Sequence, residues 1–217
     1  MQGQVHATIF PLFSTPVYYV EDTGFRLDEE TLKVLEDLPL PDKGGPGLTE
    51  DLYILKRPEL KEALATVREH LDIYVSQICS FKEEFILTNS WLTRNKTGQD
   101  HYRHFHPNSI FNGVFYLRAD PSSAPIHFHG KTALSKDFNF TYNIENYNIY
   151  NSENWRVPVK TGSLLIFPST LEHSAGPNLS EDTRICLGFN SFVRASFGNH
   201  DYASDIDLSN LKDPHDD

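Results

Sequence analysis

Hydrophobic and polar positions alternate along this chain in two rhythms. From Pro58 to Ile78 the apolar residues Leu60, Leu64, Val67, Leu71, Tyr74, Val75 and Ile78 recur at steps of three and four, which predicts one amphipathic helix opened by a proline suited to a first helical position. Its other face, with Glu59, Lys61, Glu62, Arg68 and Glu69, reads as solvated surface. A shorter helix is predicted from Glu29 to about Leu38: Asp28 caps it, Leu32, Leu35 and Leu38 share one side, and Pro39 and Pro41 end it. From Glu84 onward the period is two, predicting strands over 84–94, 109–117, 125–129, 138–144, 156–160, 163–167 and 184–193. Helices first and short strands after them imply a mainly β sandwich or barrel with flanking helices packed outside.

The flanks read differently. Residues 7–20 mix β-branched and aromatic side chains with two prolines, which suits an edge strand or an extended strap. Residues 137–150 alternate aromatic rings with asparagine, the pattern of a hairpin with one wet face or of an insertion that contacts substrate. Beyond Phe192 the apolar pattern fades, so a loosely ordered acidic tail is expected over 195–217, with His200 and His215 solvated. No linker divides the chain. The expectation is one domain, with an N-terminal strap and supporting helices over 1–80 and the β core over 84–194.

A net charge of −11 and a pI near 5.3 argue against a phosphate-binding surface, because nucleic-acid recognition needs clustered Lys and Arg. The two cysteines, Cys79 and Cys186, have no CxxC spacing and indicate neither a disulfide framework nor a zinc-thiolate site, which suits a reducing cytoplasm. The N-terminus has no basic segment leading an unbroken apolar run, so neither a secretion signal nor a membrane span is expected.

The candidate chemistry lies in the stretch from His101 to Leu117. In an extended segment side chains two apart point the same way, so His104 and His106 can present two imidazoles to one metal ion. A third ligand must come from elsewhere, and His173, just past the strand at 163–167 and its turn, is the best candidate. Eleven residues later stands Arg184; inside a barrel an arginine is costly unless it meets an anion, so a carboxylate-bearing ligand is its natural partner. His127 and His129 repeat the spacing of the first pair and are its rivals for a metal, though no distal motif recommends them. His101 reads as a loop or supporting residue, His70 as structural or exposed, and Glu172 as a rim carboxylate.

His-x-[acidic] at a strand end, a distal His, and an Arg about ten residues beyond it is the layout of the iron(II)- and 2-oxoglutarate-dependent dioxygenases. Tyr102-Arg103-His104-Phe105-His106-Pro107-Asn108 followed by Gly113-Val114-Phe115-Tyr116-Leu117 resembles their prolyl-hydroxylase-like branch. With the N-terminal Pro-Leu-Phe-Ser-Thr-Pro-Val-Tyr, the chain is similar to a group of 2-oxoglutarate oxygenases of bacteria and phages. The motif match spans about residues 86–193. It implies a double-stranded β-helix, the jelly-roll, cupin-like barrel, holding Fe(II) and 2-oxoglutarate. By position it makes His104 and His173 metal ligands, with Arg184 pairing the distal carboxylate of 2-oxoglutarate and Tyr116 hydrogen-bonding it. Cys186 stands where Ser is frequent and leaves room beside the cosubstrate. His106 stands where the family commonly has Asp: read as the third metal ligand, it leaves an iron centre one unit more positive, and the alternative is that it orients substrate while water or an acid completes the shell.

The implied activity is hydroxylation of a small-molecule or peptide substrate with release of succinate and CO2; neither a nucleic acid nor a membrane is expected as a partner, and a homodimer is the assembly considered. Two other readings stay open on the residues alone: a cupin-like three-histidine metalloenzyme that does not use 2-oxoglutarate, and a non-catalytic metal-binding barrel. If three histidines with ordinary pKa values hold the metal, it should be lost below about pH 6.

Overall fold

The computed structural model describes residues 8–41, 47–132, 143–198, 200–202 and 204–216. Asp28 caps the first helix, α1 (Glu29–Glu36), by accepting the Thr31 N–H at 2.7 Å, and Leu32 and Leu35 turn inward. The periodic run after Pro58 divides into three pieces. A tight turn over Pro58–Leu60 leads into α2 (Lys61–Ile73), and the chain then widens over Tyr74–Ile78 into a five-residue turn. Ala63, Val67 and Leu71, four residues apart, form the buried stripe of α2.

The strands are antiparallel and form two main sheets. β1 (Tyr18–Val20), β2 (Glu84–Asn95), β4 (Phe111–Arg118), β7 (Leu164–Pro168) and β9 (Arg184–Arg194) make a five-stranded sheet in the order β1-β7-β4-β9-β2. β3 (His101–His104), β5 (Ile126–His129), β6 (Asn154–Val157) and β8 (Glu172–Ala175) make a four-stranded sheet in the order β3-β8-β5-β6. A short ribbon, β10 (Ser196–Phe197) with β11 (Ile206–Asp207), follows. The protein is thus mainly β with few helices. The N-terminal strap ends in β1, an edge strand, which fits its prolines.

Two apolar layers hold this arrangement. α1 and α2 pack Leu35, Val67 and Leu71 against Leu87, Phe115, Ile166 and Phe189 on the outer face of the larger sheet. The inner face of the same sheet sends Tyr116, Leu165, Phe167 and Cys186 toward Ile126 and Phe128 of the smaller one. A sheet covered on both faces needs nearly continuous apolar strands, and Leu164–Phe167 are all buried. Polar residues on the inner face are therefore expensive unless they have work to do.

Three expectations need correction. β8 lies inside the smaller sheet, where none of the expected strands falls, because four residues bounded by a turn and Gly176-Pro177 carry no legible period. The helix expected to run unbroken to Ile78 stops being α-helical at Ile73. His215 is buried rather than solvated: its Nδ1 is 2.9 Å from Asp213 Oδ1 and its Nε2 2.9 Å from Ser90 Oγ, while Arg68 pairs with Asp213 at 2.8 Å and Asp216 at 2.6 Å. These partners anchor an end of the chain that its composition marks as loosely held. The strand expected over 138–144 falls mostly outside the described residues, and residues 143–150 form bends and turns. Among the described residues, no helix is long and apolar enough to cross a membrane.

Candidate active site

The smaller sheet brings the first two histidines together. β3 and β8 pair with His104 directly opposite His173, and the ring centroids are 4.3 Å apart. Directly paired residues project from the same face, so both rings enter the space between the sheets. His106 arrives by another route. It lies two residues beyond the end of β3, where its N–H donates to Ser169 O at 3.0 Å, and its ring sits 5.2 Å from each of the other two. The i, i+2 strand argument thus accounts for only part of the arrangement: β3 ends at His104, and a main-chain bond to the turn after β7 sets His106.

One ring nitrogen from each of the three lies within 4.8 Å of the other two. In every case Nδ1 faces an acceptor: Tyr102 O at 2.8 Å for His104, Leu171 O at 3.1 Å for His173, and Asn190 Oδ1 at 2.7 Å for His106. A carbonyl oxygen only accepts, so Nδ1 carries the proton and Nε2 keeps its lone pair. The Nε2 of His106 is buried with no hydrogen-bond partner among the described residues. Three pre-oriented imidazoles with outward Nδ1–H bonds fit a divalent first-row metal such as Fe(II). Among the described residues no carboxylate joins the group.

Burial pushes all three imidazoles below the ordinary histidine range, His106 to about 4 and His173 to about 3. The effect keeps them neutral, the form that binds metal.

The larger sheet supplies the other wall. Inner-face residues fall in rows across β2, β9 and β4: Asn95 beside Arg184, then Thr93, Cys186 and Tyr116, then Trp91, Gly188 and Val114, then Asn89, Asn190 and Asn112. Arg184 is 2 % exposed, and among the described residues its guanidinium donates only to Ala124 O at 3.3 Å and Gly176 O at 3.5 Å. No acidic side chain among the described residues pairs with it. Tyr116 and Cys186 face each other one row away; burial holds the phenol protonated far above neutrality and lifts the thiol to about 11. One cavity touches the three histidines, Arg184, Tyr116 and Cys186 together.

Residues 89–190 match a family model described as "Putative 2OG-Fe(II) oxygenase". Over this stretch, just under half of its length, the chain is similar to the 2OG-Fe(II) oxygenases. Solved structures agree on the fold. HygX from Streptomyces hygroscopicus, determined with nickel, 2-oxoglutarate and hygromycin B, superposes with a TM-score of 0.54 at 16% identity over 82% of each chain. The α-ketoglutarate-dependent epimerase SnoN from nogalamycin biosynthesis gives 0.56 at 13% identity, over 85% of this chain and 82% of its own. A 2OG-Fe(II) oxygenase-family oxidoreductase from Burkholderia pseudomallei gives 0.52 at 10% identity over 75% of each chain. No curated protein matches the sequence.

The remaining sequence candidates stand outside the histidine cluster. His129 is taken up by Asn154 Oδ1 at 2.7 Å and Ser174 Oγ at 2.8 Å, and with His127 it forms no metal-ligating group among the described residues. His70 hydrogen-bonds the Tyr18 hydroxyl at 2.9 Å, and Glu172 pairs with Arg103. Sequence reasoning missed Trp91, which stacks on His106 with centroids 5.5 Å apart and planes 27° from parallel. It also missed Gly188, where a Cβ would stand 2.6 Å from the Trp91 ring, so the indole lies flat only over glycine. Asn190 and Asn112 went unread as well. The available signal was the phase of the strands: each asparagine falls on the inward step of an otherwise apolar run.

Proposed function

We propose that this oxygenase hydroxylates a small-molecule or peptide substrate at a ferrous centre held by His104, His106 and His173, converting 2-oxoglutarate and O2 to succinate and CO2. The two facing sheets are read as the double-stranded β-helix, one domain with the site at the barrel mouth. The observation that carries the reading is Arg184: a fully buried guanidinium, without a carboxylate partner among the described residues, in the same cavity as three convergent imidazoles. Leaving such a charge unpaired is costly, and a dianionic cosubstrate bound at both ends of the cavity removes that cost.

Fe(II) held by His104, His106 and His173 would, with 2-oxoglutarate, supply the oxidising power, one oxygen atom of O2 ending in succinate and the other in the hydroxylated product. The protein's own groups position and insulate. Arg184 offers a planar fork to the distal carboxylate, the protonated Tyr116 hydroxyl donates to it, and neutral Cys186 fills the remaining space without adding charge. His106, where a carboxylate is usual, leaves the ion's full positive charge to be balanced by the cosubstrate. HygX binds 2-oxoglutarate in its structure, in keeping with such a site on this fold.

Anaerobic titration of the ferrous protein with 2-oxoglutarate is expected to raise the weak visible charge-transfer band of the chelate. Arg184→Ala should weaken that binding by about 10- to 100-fold, the value of a charged hydrogen bond, while leaving iron affinity intact. A wild-type protein that binds Fe(II) but is silent to 2-oxoglutarate would overturn the proposal in favour of a three-histidine metalloenzyme without this cosubstrate.

A further inference from the structure

The cavity holds a fourth histidine. His101 lines it, and its ring stands 4.7 Å from that of His104. Along β3 it lies toward the Arg184 end: the register sets His101 opposite Ala175, and the next residue, Gly176, is the one whose carbonyl receives the Arg184 guanidinium. The row containing His101, Ala175, Ile126 and Val157 thus lies one inward step from the row containing His104, His173 and Phe128. His101 occupies the wall between the metal ligands and the buried cation.

Its ring is otherwise uncommitted. Tyr102 stacks on it at 5.2 Å and His104 tilts against it, but among the described residues no side chain or backbone group hydrogen-bonds either ring nitrogen. The three neighbouring histidines each spend Nδ1 on a protein acceptor, and His101 does not. An imidazole always has at least one N–H to donate, and this half-buried ring on the cavity wall has its own open to a ligand acceptor.

We propose that His101 is a second anchor for 2-oxoglutarate, donating a ring N–H to the distal carboxylate beside Arg184. The inference rests on the cosubstrate assignment above and extends it to a residue that assignment does not include. A carboxylate offers two oxygens and about four lone-pair sites, more than one guanidinium fork fills. The Arg184 contacts at 3.3 and 3.5 Å are long, so the arginine itself is free to turn toward a ligand shared with His101.

The test compares His101→Phe, which keeps a ring but removes the donor, with His101→Gln, which keeps a donor. Two ligands are titrated into the anaerobic ferrous protein: 2-oxoglutarate, and 2-oxobutanoate, which has the keto acid but no distal carboxylate. His101→Phe is expected to weaken 2-oxoglutarate by about tenfold, one charge-assisted hydrogen bond, with iron affinity and 2-oxobutanoate binding unchanged and with His101→Gln recovering most of the loss. Unchanged 2-oxoglutarate affinity in His101→Phe overturns the proposal. So does a parallel fall in iron affinity, which would make His101 a metal ligand, or an equal loss for both keto acids, which would place it at the metal-binding end. Failure of the wild type to bind 2-oxoglutarate at all would instead remove the cosubstrate reading beneath it.

Discussion

His106 and Asn190 meet through a single 2.7 Å hydrogen bond between Nδ1 and Oδ1, and that bond decides which nitrogen of His106 faces its two companions. Trp91 closes the other side of the ring. A histidine held only by a loop backbone would have several rotamers; one clamped by an amide and an indole has one, and its free Nε2 is prepaid in orientation before metal arrives.

Removing the ligand and removing its clamp should therefore differ in degree. His106→Ala is expected to lower Fe(II) or Co(II) affinity by more than about 100-fold, and Asn190→Ala by about 10- to 100-fold, the usual range for a group that orients a ligand. Calorimetric or dialysis titration with Co(II) reads both. Full metal occupancy in His106→Ala would exclude it as a ligand, and an Asn190→Ala protein that binds metal as tightly as wild type would mean the amide bond is incidental.

Much of the site was legible because its chemistry is carried by rare residue types at informative spacings: His104, His106, His173, Arg184, Tyr116 and Cys186 all line one cavity. What escaped was whatever depends on register. Gly188 matters only because Trp91 is its cross-strand partner, and Asn190 only because His106 folds back over it. Pairings between distant parts of the chain leave no local period. The same limit hid β8, too short to show alternation, and the burial of His215, where specific partners override a hydrophilic composition.

The pH dependence follows from burial. Desolvation pushes His106 and His101 to about 4 and His173 to about 3, against about 6.5 in an unfolded chain. The unfolded state therefore binds more protons than the folded state between these values. The metal-free protein has its full stability above about pH 6.5 and loses it progressively as the pH falls toward 4. The ligands meanwhile remain neutral, so metal retention extends to about pH 5, below the limit set by an ordinary histidine pKa. Thermal melts of metal-free protein from pH 7.5 down to 5, with Co(II) release followed over the same range, test both halves. A release midpoint near 6.5, or a melting temperature flat across the window, would contradict the buried, neutral triad.

Ser90, His215 and Asp213 form a chain that has the residue order of a hydrolase triad without the access one requires. Ser90 is fully buried, its hydroxyl oxygen already accepts the Leu55 N–H at 3.0 Å, and the His215 side chain is fully covered. Asp213 is buried, which alone would raise its pKa, yet the bonds from His215 and Arg68 outweigh this and bring it to about 2. The chain therefore works as a clasp between the C-terminal segment and the outer side of β2, one residue from the cavity-lining Trp91. His215→Ala leaves Ser90 and Asp213 short of partners in a buried setting, and should cost about 1–3 kcal/mol in urea unfolding. Asp213→Ala should cost at least as much, because it also strips Arg68 of its buried partner. If both variants unfold at the wild-type urea midpoint, the C-terminal segment contributes nothing to the fold and the clasp is a passive contact.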